Sequence, residues 1–564
     1  MPKPAFALSV AHRFGAAGLV LALAACVSVA AGCTTQAESS RFFGKTVPPD
    51  GQNLRYISGS EPESLDPQVS SGQPEARLHV GLFDGVTEYH PETAQAIPAL
   101  AERWEANADN SEFTFHLRDA KWSNGDPITA RDFVYSLRRG LAPEFAARTA
   151  YLAYYIKGAQ AYNEGKGKAE DVGITAVDDR TLKYTLAQSV PFFPGLMAHQ
   201  FFRPVPQKTV ETYGQAWTQP EHIVTSGAFT LKVWKPYNKL VFVRNPMYWD
   251  VANVKLDSIT FYPMEDATTM MNLYKAGEID ALYNHVPPAA WIDHLRRTVD
   301  HMDQPECAID YYMLNTLKPP MTDVRVRKAF NMSIDKAGLA AYERTIKPLT
   351  AFSPEGIFPG YPQPVGDPFD PARAKQLLAD AGYRDANGRY DPSTFPIADV
   401  ELTYNTAERN RHIAEYVQAQ WKQNLSLTVP LKNMEWKTFL DYRAKLEYKG
   451  VARTGWVGDY MDPYTFLDLF STKTGDNGTG WSPPEFVAAL RAANSEQDPQ
   501  KRYQLLAKAE KMLLDAQPVI PLATSSTNWM KKPYVKGMYP NPVTLHAWKY
   551  VYIEHDPSKW LANP

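Results

Sequence analysis

The histidines of this chain never stand at i and i+4 around a glutamate, the spacing by which a helix presents two imidazoles and a general base to zinc. The three cysteines, Cys26, Cys33 and Cys307, offer no zinc clip either, so no metal and no cofactor is expected. No Gly-x-Ser-x-Gly elbow presents a nucleophile, and no glycine-rich loop fits a phosphate or dinucleotide cradle. Paired acids occur at Asp178-Asp179 and at Glu61 with Glu63, but spacing alone does not make an acid and base of them; they read as solvated turn residues. No catalytic constellation is therefore legible in residue types and spacing.

The elements that position its polar groups are a mixture of strands and helices. Asn53 to Ser58 reads as a strand running into a Pro- and Gly-punctuated turn. Phe113 to Leu117 alternates as a half-buried strand, Asn124-Gly125-Asp126-Pro127 supplies turn chemistry, and a helix follows from Thr129 to Arg138. Phe229, Leu231 and Val233 alternate in a hairpin from Ala228 to Val243 that turns at Tyr237-Asn238-Lys239. Asp370 caps a helix with Pro371 in its first turn, an apolar stripe of Leu377, Leu378 and Ala381, and a stop at Gly382. Leu505, Leu506, Ala509, Met512 and Leu513 mark a late helix ending before Pro518. No internal period suggests a solenoid, so the lobes of the molecule are expected to interleave.

A length of 564 residues exceeds one hydrophobic core, and 44% apolar with 12% aromatic residues excludes wholesale disorder. The formal charge of −3 gives no reason to expect a nucleic-acid partner. Residues 1–33 read as an export leader: Lys3 and Arg13 precede an acid-free apolar run from Phe14 to Gly32. Loss of residues 1–32 removes those two cations and no acid, taking the charge from −3 to −5. Either Cys26, after Leu23-Ala24-Ala25, or Cys33, after Ala30-Ala31-Gly32, fits a lipid-modified cysteine; an uncleaved anchor and a cleaved, unlipidated leader are the alternatives. Cys307, without a partner beyond the leader, reads as a buried small hydrophobe.

From about Ser58 to Tyr552 the sequence carries separated blocks: Ser64-Leu65-Asp66-Pro67, Phe83-Asp84-Gly85-Val86, Ala101-Glu102-Arg103-Trp104, and the long run from Phe113 to Ser136 containing Trp122-Ser123-Asn124-Gly125-Asp126-Pro127. Further blocks are Ile223 to Phe229, Gly277-Glu278-Ile279-Asp280 and Asp323 to Phe330. Together they resemble the periplasmic oligopeptide-binding family, the family 5 solute-binding proteins of peptide ABC transporters.

That resemblance implies a site. Arg453-Thr454-Gly455-Trp456-Val457-Gly458-Asp459-Tyr460 is similar to the segment whose aspartate pairs with a peptide's α-ammonium, which puts Asp459 in that role; a structural or surface acid is the alternative, and Asp462 is its decoy. The chemistry is sound, since a fixed, partly desolvated carboxylate makes a charge-assisted bond to the one cation every free peptide carries. The family places backbone pairing on the Asp66 to Glu75 stretch around Gly72 and Gln73, and on Gly455, Trp456 and Val457, with Tyr460 beside them. Trp436 is similar to a tryptophan lining a side-chain pocket, with core packing as its alternative. Arg443 and Arg453 match positions near the ligand's carboxylate, and Asn410 stands where relatives carry a histidine.

The fold so implied is an α/β, class II-type binding protein of two large lobes plus an extra domain, hinged to close over the ligand. The family's boundaries give lobe I as 34–83, 207–307 and 526–564, lobe II as 84–206 and lobe III as 308–525. The implied activity is peptide capture for an ABC importer permease of the inner membrane by a monomeric, non-enzymatic protein in the periplasm. The alternatives are a same-fold receptor for a cell-wall peptide, nickel chelate or haem, and, in another class, a peptidase.

Overall fold

The computed structural model describes residues 41–70, 72–284, 287–473 and 477–561. Cys26 and Cys33 lie outside the described residues. Three sheets organise the chain. The first has five strands in the order Ala281–Leu282, Asn53–Gly59, Ser258–Pro263, Lys239–Arg244, Phe229–Lys235. Its first three strands run parallel and the remainder antiparallel. The second is antiparallel, in the order Ala101–Ala106, Glu112–Leu117, Thr181–Thr185, Ile174–Ala176. The third has six strands in the order Ile346–Pro348, Val519–Ser526, Pro305–Leu314, Gly450–Val457, Glu401–Asn405, Leu431–Met434.

Local sequence signals explain many of these elements. Glu112–Leu117 alternates half-buried and buried residues as its pattern predicts. The helix expected from Thr129 to Arg138 runs Ala130–Leu141. Asp132 accepts the Thr129 backbone N–H at 2.7 Å, fixing its start. Its extra turn comes from tertiary packing: Leu141 is buried, and a Cβ on Gly140 would lie 3.0 Å from the Phe201 ring. Asp370 accepts the Arg373 N–H at 2.9 Å to cap Pro371–Asp380, and Gly382 ends that segment with φ +107°. The late helix runs Pro499–Ala516, with Gln517 left-handed before Pro518.

One expectation needs correction. Asp178 and Asp179 are exposed turn residues, but Glu61 is half-buried. Its carboxylate accepts Trp234 Nε1 at 2.8 Å and the Tyr237 N–H at 2.9 Å. It therefore ties the tip of the Phe229–Arg244 hairpin to the turn after the first strand. Sequence spacing could not show this because the partners lie more than 170 residues away.

The cores follow the sheets. One large cluster joins the first and second sheets and reaches Tyr460, Tyr464 and Phe466. A second lies wholly within residues 312–523, where Trp421 packs on Phe330 and donates its Nε1 to the Phe330 carbonyl at 3.0 Å. Among the described residues no helix is long and apolar enough to cross a membrane, and no group of three or more His, Cys, Asp or Glu side chains is placed to hold a metal ion.

Candidate functional site

The Gly450–Val457 strand pairs with Pro305–Leu314 from Val451 to Val457, but with Glu401–Asn405 only from Gly450 to Ala452. From Arg453 to Val457 one edge is therefore left open among the described residues, a row of backbone donors and acceptors able to receive an extended chain. Three adjoining cavities follow this edge. Gln73 and Val457 line both a cavity of about 670 Å³ and one of about 250 Å³. Asp459 lines the latter and a third of about 490 Å³.

Asp459 is half-buried where the strand turns away from the sheet. Its N–H donates to Thr465 Oγ1 at 3.1 Å, and the Tyr151 hydroxyl donates to its Oδ1 at 3.2 Å. Gly458 permits this turn to sit on the neighbouring strand: its N–H reaches the Cys307 carbonyl at 2.8 Å, and a Cβ there would lie 2.7 Å from Cys307 Sγ. Cys307 is fully buried with a free thiol whose pKa burial pushes up, in keeping with a packing role. Asp462, three residues on, faces inward and pairs with buried Arg502 at 2.6 and 2.9 Å. Tyr460 is buried too, stacked on Phe192 at 4.2 Å.

The opposite end is cationic. Arg77, Arg409, Arg443 and Arg453 line the 670 Å³ cavity with Asp310 and Glu306. Arg453 Nη2 reaches Asp310 Oδ1 at 3.0 Å and Arg409 Nη2 reaches Oδ2 at 2.7 Å, so two guanidiniums share one carboxylate. Burial alone would raise the Asp310 pKa, but the attraction of Arg409 and then Arg453 outweighs it and holds the carboxyl below its usual range. Arg443 Nη1 donates to Thr454 Oγ1 at 2.7 Å.

The expected residues thus divide. Gly72, Gln73, Gly455, Trp456, Val457, Arg443, Arg453 and Asp459 come together along the open edge. Asn410 does not join them, because its buried amide folds back on the Asn405 carbonyl and Oδ1 at 3.2 and 3.0 Å. Its neighbour Arg409 enters the cavity instead, one residue and about 100° further round the helix. Trp436 opens the Trp436–Ala444 helix, and its side chain lies outside the described residues. Asp66 and Glu75, at the ends of the expected pairing stretch, are both buried, the first paired with Arg139 at 2.6 Å and the second accepting the Glu63 N–H at 2.7 Å.

Three residues escaped the sequence reading. Asp310 had a signal, a lone acid in the apolar run Cys307 to Leu314. Arg409 is the cation next to Asn410 in the sequence. Tyr151, 308 residues from Asp459, had none.

The described residues thus bring an open strand edge, an acid and an arginine cluster together along three adjoining cavities. Residues 95–478 match the family described as bacterial extracellular solute-binding proteins, family 5. The chain belongs to this family. It is 36% identical to the periplasmic oligopeptide-binding protein OppA of Salmonella typhimurium over 86% of this chain and 90% of that one. The periplasmic murein tripeptide-binding protein MppA in its unliganded open form superposes with a TM-score of 0.77 at 34% identity, covering 90% of this chain and 98% of that one. Haemophilus influenzae OppA in complex with the peptide RPPGFSPFR gives 0.73 at 31% identity, covering 90% and 99%. The α/β binding-protein fold of this family is therefore the fold of this chain, and the family is one of binding proteins.

Proposed function

We propose that this family 5 member captures short peptides outside the cytoplasmic membrane and hands them to an ABC importer permease. The observation that carries the reading is the open edge at Gly455–Val457, set between Asp459 and the Arg409–Arg453 pair. Asp459 takes the α-ammonium, the strand edge takes the backbone, and the arginines take the carboxylate. Relatives named for oligopeptides, for dipeptides and for a murein tripeptide support a peptide ligand.

The lobes are those of the family boundaries, 34–83 with 207–307 and 526–564, then 84–206, then 308–525. In support, the first sheet takes its strands from 53–59 and 229–282, the second from 101–185 and the third from 305–526. Closure of the lobes buries the ligand, whose greater affinity for the closed form drives the motion, and no bond is made or broken. The protein acts as a monomer in the periplasm, held to the membrane by a lipid on Cys26 or Cys33.

Calorimetry with trialanine and with N-acetyltrialanine tests this reading. The free peptide should bind and the acetylated one should bind at least tenfold more weakly; equal affinities remove the ammonium from recognition. A tripeptide pool incubated with the protein should be recovered uncut, and cleaved products would make it a peptidase. The 34% identity to MppA favours a cell-wall peptide as second reading, judged by adding a murein tripeptide to the same titrations.

A further inference from the structure

A further cavity lies away from this site. A groove of about 810 Å³ runs along the outer face of the Ala130–Leu141 helix. The helix contributes Arg131, Val134, Tyr135, Arg138 and Arg139, a stripe at helical spacing. Phe145, Tyr162 and Ile174 complete an aromatic and aliphatic trough. The volume falls within the range of pockets that bury a small organic molecule.

The charges in the groove differ in how far they are committed. Arg139 is spent on Asp66 and Gln68, with its guanidinium over the Phe145 ring at 4.3 Å. Arg131 lies 3.4 Å from Asp179 at the exposed rim. Arg138 is half-buried and has no carboxylate within ion-pair distance among the described residues, and its buried Nε has no hydrogen-bond partner. Among the described residues Glu144 is the one acid in the lining, and it is exposed at the rim. A guanidinium held partly out of water above an apolar floor gains most from an anionic group that arrives with its own apolar body.

Strand addition fits less well. The sheet edge beside the groove, Ile174–Ala176, has three residues, and the Ile174 N–H is already given to the Val172 carbonyl at 2.7 Å. An edge this short cannot register an incoming chain.

We infer that this groove is a second binding site, for an amphipathic organic anion whose carboxylate or sulfonate head meets Arg138 and whose apolar body lies between Tyr135, Phe145, Tyr162 and Ile174. The site is separate from the peptide cleft and does not depend on the ligand proposed there.

The probe is 8-anilinonaphthalene-1-sulfonate, titrated by fluorescence into the full chain in the presence of excess trialanine. Saturable binding of one probe per molecule is expected, displaced by dodecanoate and not by dodecanol. Arg138→Gln should weaken it at least tenfold, and Arg138→Lys should restore part of the loss. Thr175→Glu, at an exposed edge position facing the groove, gives a second variant that sets a like charge against the head group and should weaken binding by a similar factor. Non-saturable binding, equal displacement by dodecanol, or an affinity unchanged in both Arg138→Gln and Thr175→Glu would overturn the proposal.

Discussion

The hydroxyl of Tyr151 donates to Asp459 Oδ1 across 3.2 Å, joining the Ala150–Tyr155 turn to the end of the Gly450–Val457 strand. Such a bond aims a carboxylate as well as stabilising its charge. Tyr151→Phe should therefore weaken peptide binding by about 1 kcal/mol, roughly fivefold, with the thermal midpoint unchanged. Calorimetry with trialanine reads the loss, and full retention of affinity would leave the bond without a part in recognition.

Asp459→Asn keeps the shape of the side chain and removes its charge. The expected loss is about 1.5–3 kcal/mol, roughly ten- to a hundredfold in Kd, for peptides with a free amino group. N-acetylated peptides should bind the variant and the wild type alike. Unchanged affinity for the free peptide would remove Asp459 from the site.

Arg453→Met leaves Asp310 paired with Arg409, so the protein should stay folded. Affinity for peptide acids should fall by roughly tenfold. Peptide amides should be little affected. An equal loss for acids and amides would assign Arg453 to packing alone.

The buried pair of Asp462 and Arg502 anchors the turn carrying Asp459 to the Pro499–Ala516 helix. Arg502→Met strands a buried carboxylate and should cost about 3–5 kcal/mol in denaturant unfolding. The double variant with Asp462→Asn should recover a good part of it. A single-variant loss under 1 kcal/mol, as is usual for exposed pairs, would contradict the buried geometry.

Lys336 is buried against Asn331 Oδ1 at 2.8 Å, and burial lowers its pKa from 10.5 to about 7. Between these values the unfolded chain binds the extra proton, so this group makes stability rise with pH from about 7 to 10.5. Below that window its penalty is full. Lys336→Met should be more stable than wild type at neutral pH, with the advantage shrinking by up to about 1.4 kcal/mol per pH unit above pH 7. Urea unfolding at pH 7 and pH 9 measures the difference, and parallel curves would refute the assignment.

The family and the local frame were legible in the sequence, as was the segment proposed to form the acid end of the site. Caps such as Asp370, stops such as Gly382 and the alternation of Glu112–Leu117 act over a few residues, where composition decides the outcome. Gly455 to Asp459 was legible for the same reason, as a contiguous motif. The remainder depends on contacts between distant parts of the chain. Which face of the Glu408–Leu425 helix enters the cavity, and hence Arg409 in place of Asn410, depends on packing against distant strands. The sharing of Asp310 by Arg409 and Arg453, the reach of Tyr151 to Asp459 and the latch of Glu61 on its hairpin join residues from about 100 to more than 300 positions apart. Charge pairing and burial are set by proximity in space, and a linear pattern carries no record of it.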